Sequence, residues 1–254
     1  MFPGREYPGS SGETCALLVR DSRGALACYP ADNKDNASVE LALRHFLGSS
    51  VSASTELYSD CAGEISLAAS NIGISHQQSI PNVPMTHRKI EKRYQQALGS
   101  CRAALLQSGL PVSWWPEALS YACIAQGIAD KTLVNLQPPT AKAFVLLPFG
   151  CRVSVKPAAE ASSAPKFESA GKPALFLGWK LQPGLRYRGE MLYCFEDEFS
   201  PRFVVENQLL HSTTLFFQSQ KHANKHTLKV SSSVFFQMFC LLNLRNPQMN
   251  QGSP

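Results

Sequence analysis

The first half of the chain alternates between short apolar runs and segments whose apolar residues recur at helical spacing. Apolar runs at 15–19 and 25–29 flank Asp21-Ser-Arg-Gly24, in which Asp, Ser and Gly favour a turn. This arrangement predicts a β-hairpin, with Asp21 in its turn.

Capping residues mark the predicted helices. Asp35 or Asn36 can cap a helix over 37–47, and Gly48 stands just beyond its end, where glycine is favoured. The clearest helix is predicted over 88–108, because apolar residues recur there every three to four positions.

The remaining elements of this half complete an alternation of strands and helices. They are predicted as a strand over 56–59, a small helix over 64–71, a strand over 74–79 and a helix that opens at 113–116. Such an order is typical of an α/β fold in which helices cover a mixed sheet. We therefore expect one α/β domain over 13–136, preceded by a flexible start over 1–12 that is rich in Gly and Pro.

The second half of the chain has a different pattern. Three β-prone runs are separated by Pro, Gly and Ser, at 144–155, 174–181 and 189–195. They predict a small β-rich module, either a barrel or a set of hairpins, over 144–205. The sequence then turns polar, and 206–254 is predicted to be a poorly ordered tail. Its apolar run at 234–242 is too short to cross a bilayer and would promote aggregation if exposed.

Composition narrows the class of protein. Hydrophobic residues make up 44% and charged residues 17% of the 254 positions, which is enough apolar sequence for a packed core. Basic residues exceed acidic ones by five, so a polyanionic partner is mildly favoured. The start has no apolar run typical of a signal peptide, and no stretch reaches the roughly 18 apolar residues of a membrane span. These features predict a protein of the nucleus or cytoplasm that is neither secreted nor transmembrane.

The metal-binding residue types are dispersed. Eight cysteines are scattered through the chain without the close spacing of a zinc or redox motif. Reduced, buried thiols are the expected state, with disulfides as the alternative. His222 and His226 are four residues apart, but without further ligands nearby they are interpreted as incidental.

Three acidic residues stand at the ends of predicted elements, namely Asp21, Asp60 and Glu91. Carboxylates from separate elements can hold two divalent ions, which stabilise the attacking and leaving oxygens of phosphoryl transfer. Mg²⁺ prefers such oxygen ligands. Taken alone, each acid is better explained as a turn residue, a helix cap or a solvated side chain.

The motifs around these acids change that interpretation. In chain order they are Tyr58-Ser-Asp-Cys-Ala-Gly-Glu64, Ile74-Ser-His-Gln-Gln-Ser-Ile-Pro81 with Pro84, Ile90-Glu-Lys-Arg93, Leu106-Gln-Ser-Gly-Leu-Pro-Val-Ser-Trp-Trp-Pro-Glu-Ala118, Pro148-Phe-Gly-Cys151 and Leu175-Phe-Leu-Gly-Trp179. Together they resemble, in the same order, the integrases of copia-type retrotransposons, which share the catalytic core of retroviral integrases. The resemblance covers about residues 13–200.

The resemblance implies an RNase H-like core that cuts and joins DNA. In such an integrase, carboxylates hold Mg²⁺ or Mn²⁺, water cleaves the DNA end, and the freed 3′-hydroxyl attacks target DNA. Asp60 matches the family's second catalytic Asp and Glu91 its catalytic Glu, so these two are the candidate catalytic and metal-binding residues. DNA is the implied partner, with a homo-oligomer as a further option.

The chain also departs from the family pattern. The family's first catalytic Asp lies on a strand before the hairpin; Asp21 does not match it, and we expect that strand to be missing. Pro84-Met-Thr-His-Arg88 lacks the Gln, Asn and Gly that the family has before its catalytic helix, and Cys61 replaces the usual Asn. These departures predict a truncated, degenerate copy with impaired catalysis and weak metal binding.

Basic residues give the long helix a charged side. They are Arg88, Lys89, Lys92, Arg93 and Arg102. Contacts to DNA phosphates need only Lys or Arg and no reading of bases, so these five are the candidate nucleic-acid-binding residues. An ordinary solvated helix face is the alternative. A second basic set lies on the β-rich module and is explained at least as well by solubility: Arg152, Lys156, Lys166, Lys172, Lys180, Arg186 and Arg188.

Two functions are compatible with these patterns. The first is the polynucleotidyl transferase domain of a retrotransposon integrase, impaired in catalysis. The alternative is a non-catalytic, integrase-derived module that binds DNA or protein. The third carboxylate separates them, because losing a metal ligand that stabilises the transition state by several kcal/mol slows the reaction by a factor on the order of hundreds or more.

Overall fold

A computed structural model describes residues 7–49, 51, 55–59, 62–79, 88–133, 144–155, 171–196 and 235–240. Side chains are described in these ranges except over 88–90 and 235–240, where the backbone is described. No helix within these ranges is long and apolar enough to cross a membrane.

The described residues form eight strands and four α-helices. In chain order these are β1 (Cys15–Asp21), β2 (Leu26–Ala31), α1 (Asn36–Leu47), β3 (Glu56–Ser59), α2 (Gly63–Ile72), β4 (Ser75–Gln78), α3 (Arg88–Ser108), α4 (Trp115–Ala129), β5 (Arg152–Val155), β6 (Lys172–Gln182), β7 (Arg186–Phe195) and β8 (Phe235–Cys240). A short 3₁₀ turn, Val112–Trp114, precedes α4. The predicted mixed α/β architecture is confirmed, and the long helix has the predicted bounds.

Five strands form the main sheet, in the order β2-β1-β8-β3-β4. β1 pairs antiparallel with both β2 and β8, whereas β8 pairs parallel with β3, and β3 parallel with β4. β8 is therefore the central strand. Its Gln237 lies in register with Arg20 of β1 on one side and with Tyr58 of β3 on the other.

The sequence of β8 suits this central position. Its six residues read Phe-Phe-Gln-Met-Phe-Cys, and strands covered on both faces carry nearly continuous apolar runs. The apolar run predicted to promote aggregation thus supplies a strand of the sheet. The rest of 206–254, predicted as a poorly ordered tail, lies outside the described residues.

Alternation along β1 separates the two faces of the sheet. Leu17 and Val19 belong to a core cluster with α1 and α2, and Ala16 and Leu18 belong to a second cluster with α3 and α4. All four side chains are buried, as expected for a strand between two helical layers. The domain is therefore a sheet with helices on both faces.

Asp21 closes the β1–β2 hairpin. Its buried carboxylate accepts hydrogen bonds from the backbone N of Ala25 (2.7 Å) and from Nε of Arg23 (3.2 Å). Gly24 has a φ of +101°, a conformation that glycine adopts without strain. Asp21 thus holds the turn, as its sequence context predicts.

Helix ends also follow the predictions. The Asp35 side chain accepts from the backbone N of Ser38 (2.7 Å) and caps α1, and Gly48 follows that helix with a φ of +59°. A Cβ at position 48 would lie 2.6 Å from the backbone N of Gly184. Glycine is therefore required there both by conformation and by the close approach of the β6–β7 hairpin.

The second sheet is antiparallel, in the order β5-β6-β7, which agrees with the prediction of a small β-rich unit. It packs against helix α4, where Tyr121 stacks on Trp179 of β6 with ring centroids 5.2 Å apart. The imidazole of His45 bonds to the hydroxyl of Tyr29 (3.0 Å) and to the carbonyl of Leu181 in β6 (3.1 Å). Burial lowers the pKa of His45.

The strand predicted over 144–155 is shorter in the structure. β5 begins only at Arg152, because Pro148 and Gly150 form a turn before it, with a φ of +70° at Gly150. The backbone N of Gly150 donates to the carbonyl of Phe176 (2.7 Å), so the turn docks on β6.

The described part of the predicted flexible start, residues 7–12, lies against α4. Trp115 Nε1 donates to the carbonyl of Tyr7 (3.2 Å), and Ser10 Oγ donates to Glu117 Oε1 (3.0 Å). Two side chains at the start of α4 thus hold this segment in place.

Candidate nucleic-acid interface

The candidate residues of the long helix do not all lie on one side of α3. Glu91 is exposed in the first turn, Lys92 is exposed, and Arg93 is half-buried. Arg102 is also exposed, but it follows Arg93 by about two and a half turns at 3.6 residues per turn and so lies on the opposite side of the helix. For Arg88 and Lys89 the helical backbone is described without side chains.

Asp60 lies outside the described residues. The strand that precedes it, β3, ends at the buried Ser59, whose hydroxyl bonds to His76 Nε2 of β4 (2.7 Å). His76 thus links two parallel strands. The convergence of Asp60 and Glu91 stays a prediction.

The described residues do not make up the carboxylate cluster that two divalent ions need. They contain no group of three or more His, Cys, Asp or Glu placed to hold a metal ion. The central strand β8 has no Asp or Glu in its sequence. Among the described residues, no such donor set fits the Mg²⁺ or Mn²⁺ that the resemblance implies, and we derive no step through either ion.

A cationic cavity lies where β1 meets α3. Its volume is about 260 Å³, and it is lined by Arg20, Lys92, Arg93 and Gln96. The cavity brings two candidate residues of α3 together with Arg20, a residue from 72 positions earlier in the chain. We call the cavity that these four residues line the Arg20 cavity.

The cations of the Arg20 cavity are only partly neutralised. Arg93 Nη1 donates to Asp130 Oδ2 at 2.7 Å. Arg20 Nε is buried and has no hydrogen-bond partner within the described part of the chain. Burial, and next the charge of Arg93, lower the pKa of Arg20, although Asp21 acts in the opposite direction. Two guanidinium groups thus line one cavity, and that of Arg93 is paired with the Asp130 carboxylate.

Arg20 was not among the candidates predicted from sequence, although the sequence contains a signal for it. Residues two apart on a strand share a face, so Arg20 follows Ala16 and Leu18 on the side of the sheet that α3 and α4 cover. The sequence signal for Arg20 is therefore a basic residue that follows buried apolar residues on the same face, at the end of a strand. Lys92 and Arg93 are candidates from the sequence, but only the fold shows that they lie beside Arg20.

Comparison with known proteins gives one curated relative. The chain is 29% identical over 135 residues to the Retrovirus-related Pol polyprotein from transposon RE2 of Arabidopsis thaliana, an alignment that covers 49% of this chain and 9% of the relative. The chain thus spans about a tenth of the length of that polyprotein. No family model matches.

Two solved structures are distantly similar. A chain of the simian T-cell lymphotropic virus intasome in complex with PP2A regulatory subunit B56 gamma matches with a TM-score of 0.37 and 12% identity, over 68% of this chain and 66% of that one. The catalytic core domain of BIV integrase matches with a TM-score of 0.34 and 18% identity, over 45% of this chain and 76% of that one. The sequence resemblance predicted from the motifs is confirmed: over about half its length, this chain is related to a retrotransposon Pol polyprotein of the copia type.

Proposed function

We propose that this chain is an integrase-derived module with an RNase H-like sheet, which binds the phosphate backbone of nucleic acid and does not catalyse strand transfer. DNA is the proposed partner, and self-association is compatible with this role. The observation that carries the proposal is the pairing of a cationic cavity beside α3 with a central strand that has no acidic residue.

The strand order supports the RNase H-like assignment. The family's first strand is central and precedes the hairpin, and here the central position between β1 and β3 is taken by β8. β8 runs antiparallel to the hairpin strand and parallel to β3, so it occupies the central position that the family's first strand holds. A late segment of the chain thereby completes the sheet.

The substitution of strands explains why catalysis would be lost while the fold is kept. Hydrogen bonding along a strand uses the backbone and so tolerates a change of side chains. Metal binding needs carboxylates, and β8 supplies neither Asp nor Glu. Asp60 and Glu91 are then the catalytic acids that the resemblance assigns, and β8 adds no third carboxylate to them.

Binding to phosphates makes fewer demands on geometry than catalysis does. Lys and Arg contacts to the backbone release condensed counterions whatever the base sequence. Lys92 and Arg93 lie beside Arg20 around one cavity, and the chain as a whole carries a net charge of +5. These charges support nucleic-acid binding that persists without strand transfer.

Arg93→Gln tests this function. We expect it to weaken binding to a DNA duplex by on the order of tenfold, because a charge-assisted contact contributes about 1.5 kcal/mol or more. With about three phosphate contacts, raising the salt from 50 to 200 mM should lower the affinity of the unmodified protein about 40-fold. Fluorescence anisotropy with a labelled duplex measures both effects.

Arg44→Gln is the matched control. Arg44 also lies on a helix and also forms an ion pair, to Glu40 at 2.8 Å, but it is on α1 and does not line the Arg20 cavity. Its loss should leave DNA affinity unchanged. Binding that is independent of salt, or equal losses in the two variants, would contradict the proposed function.

A further inference from the structure

The shape of the Arg20 cavity suits one small anionic group. At about 260 Å³ it is smaller than the pockets of about 300–1,000 Å³ that hold whole small molecules. It lies under the first turns of α3 and reaches the hairpin turn of β1, since an ideal Cβ on Gly24 would lie 3.5 Å from Arg20 Nη2. A group that enters it meets cations from both a strand and a helix.

The charge of the cavity distinguishes between phosphate types. Arg20, Lys92 and Arg93 bring three positive charges, and the Arg93–Asp130 ion pair cancels one of them. Asp21 is engaged by Arg23 and by the backbone N of Ala25. About two positive charges remain, which matches a phosphate monoester near pH 7 and exceeds the single charge of an internal phosphodiester.

The available donors also fit a terminal phosphate. Gln96 Oε1 accepts hydrogen bonds from Gln126 Nε2 (3.2 Å) and Arg93 Nη1 (3.5 Å), which leaves its NH₂ group to donate. Arg20 Nε is buried without a partner among the described residues, and a buried unpaired donor carries a free-energy cost that an anion would remove. Three oxygens of a monoester can accept from Arg20, Lys92 and Gln96.

We propose that the Arg20 cavity binds the terminal phosphate of a nucleic acid strand, so that the protein prefers phosphorylated ends to hydroxyl ends and to internal backbone. This inference rests on the proposed nucleic-acid binding and adds to it a preference for one chemical group. Arg20 is the residue that confers the preference, and Lys92 and Arg93 also serve general backbone contacts.

Competition anisotropy tests the preference. Two 20-base-pair duplexes of one sequence, one with 5′-phosphates and one with 5′-hydroxyls, compete for the protein against a labelled duplex. We expect the phosphorylated duplex to compete about tenfold better, and Arg20→Gln to reduce that ratio to near one. Arg44→Gln is the matched control, since Arg44 is an exposed arginine of α1 that lies outside the cavity; it should keep the tenfold ratio.

A third competitor, inorganic phosphate, separates the two sources of a terminal phosphate group. Competition by millimolar phosphate that Arg20→Gln abolishes, together with the end preference, supports the site as described. Arg20-dependent competition by phosphate without any end preference shows a free-phosphate site and overturns the assignment to nucleic acid ends. Because Arg20 is half-buried, Lys92→Ala on the exposed helix face provides a second variant that leaves the core intact, and it should also lower the ratio.

Two different binding results separate the end preference from nucleic-acid binding in general. Equal competition by both duplexes, with salt-dependent binding retained, removes the end preference and leaves backbone binding intact. Absence of binding to either duplex at low salt removes the proposed function itself.

Discussion

Gln237→Pro is expected to abolish the cooperative folding of the main sheet. Gln237 is in register with Arg20 on one neighbouring strand and with Tyr58 on the other. Proline has no N–H to donate and is not accommodated within a central strand. Each buried backbone group left unpaired costs about 1–3 kcal/mol, and typical domains have only about 5–15 kcal/mol of total stability.

Urea unfolding followed by circular dichroism measures this effect. Gln237→Ala is the matched control, because alanine at the same position keeps the backbone N–H of the central strand. The control should unfold like the unmodified protein, whereas Gln237→Pro should lose at least about 3 kcal/mol or unfold outright. Equal stability of the two variants would show that Phe235–Cys240 does not belong to the sheet.

Addition of β8 as a separate peptide extends the same test. A chain that ends at Ser233 lacks the central strand, so β1 and β3 each lose the pairing that β8 provides. We expect this shortened chain to be unfolded and to regain structure when a peptide covering 234–242 is added. The peptide with proline at position 237 should not restore it.

Glu117→Gln is expected to stabilise the protein by about 3 kcal/mol at pH 8. Glu117 lies in the first turn of α4, where Ser10 Oγ donates to its Oε1, while Oε2 is buried without a partner in the described part of the chain. Burial raises the pKa of Glu117 to about 7. The charged carboxylate is therefore unfavourable in the folded state, and the neutral amide of Gln removes this cost.

Glu117 makes the free energy of unfolding depend on pH. The carboxyl has a higher pKa when folded than when unfolded, so between pH 4.5 and 7 the folded state binds more protons and stability falls as pH rises. A shift of this size corresponds to about 3 kcal/mol. Thermal or urea unfolding should thus show little difference between Glu117→Gln and the unmodified protein at pH 4.5, and the full difference at pH 8.

Glu64→Gln gives the opposite control. Glu64 also lies in the first turn of its helix, α2, but it is paired with Lys34. Burial alone would raise its pKa, yet the hydrogen bond from Lys34 lowers it overall. Glu64→Gln should therefore reduce the stability of the protein at pH 8. Glu117→Gln should increase it at the same pH. A gain that is the same at both pH values for Glu117→Gln would contradict the assignment of a buried carboxyl.

Local interactions explain which parts of the fold can be predicted from the sequence. The β1–β2 turn depends on Asp21 and Gly24, the start of α1 on Asp35, and the extent of α3 on its own apolar spacing. Each feature is fixed by residues within a few positions of one another. Sequence patterns therefore predict these elements to within one or two residues.

Long-range pairing explains what the sequence does not reveal. The apolar run 234–242 predicts only a patch that promotes aggregation if exposed, and nothing local indicates that it pairs with β1 more than 200 residues earlier. The role of Arg20 likewise depends on α3, which places Lys92 and Arg93 beside it. Both the central strand and the cationic cavity depend on how distant segments pair. The order of the motifs therefore points to the related polyprotein, but it does not show which strand completes the sheet.

Strand transfer with Mn²⁺ tests most directly whether the protein binds nucleic acid without joining it. The unmodified protein and Asp60→Asn are compared on a labelled DNA-end substrate, with duplex binding verified for both in the same buffer. We predict bound DNA and no joined product above background from either protein. Joined product that forms with the unmodified protein and disappears with Asp60→Asn would contradict this, because it would show that a working set of carboxylates is present.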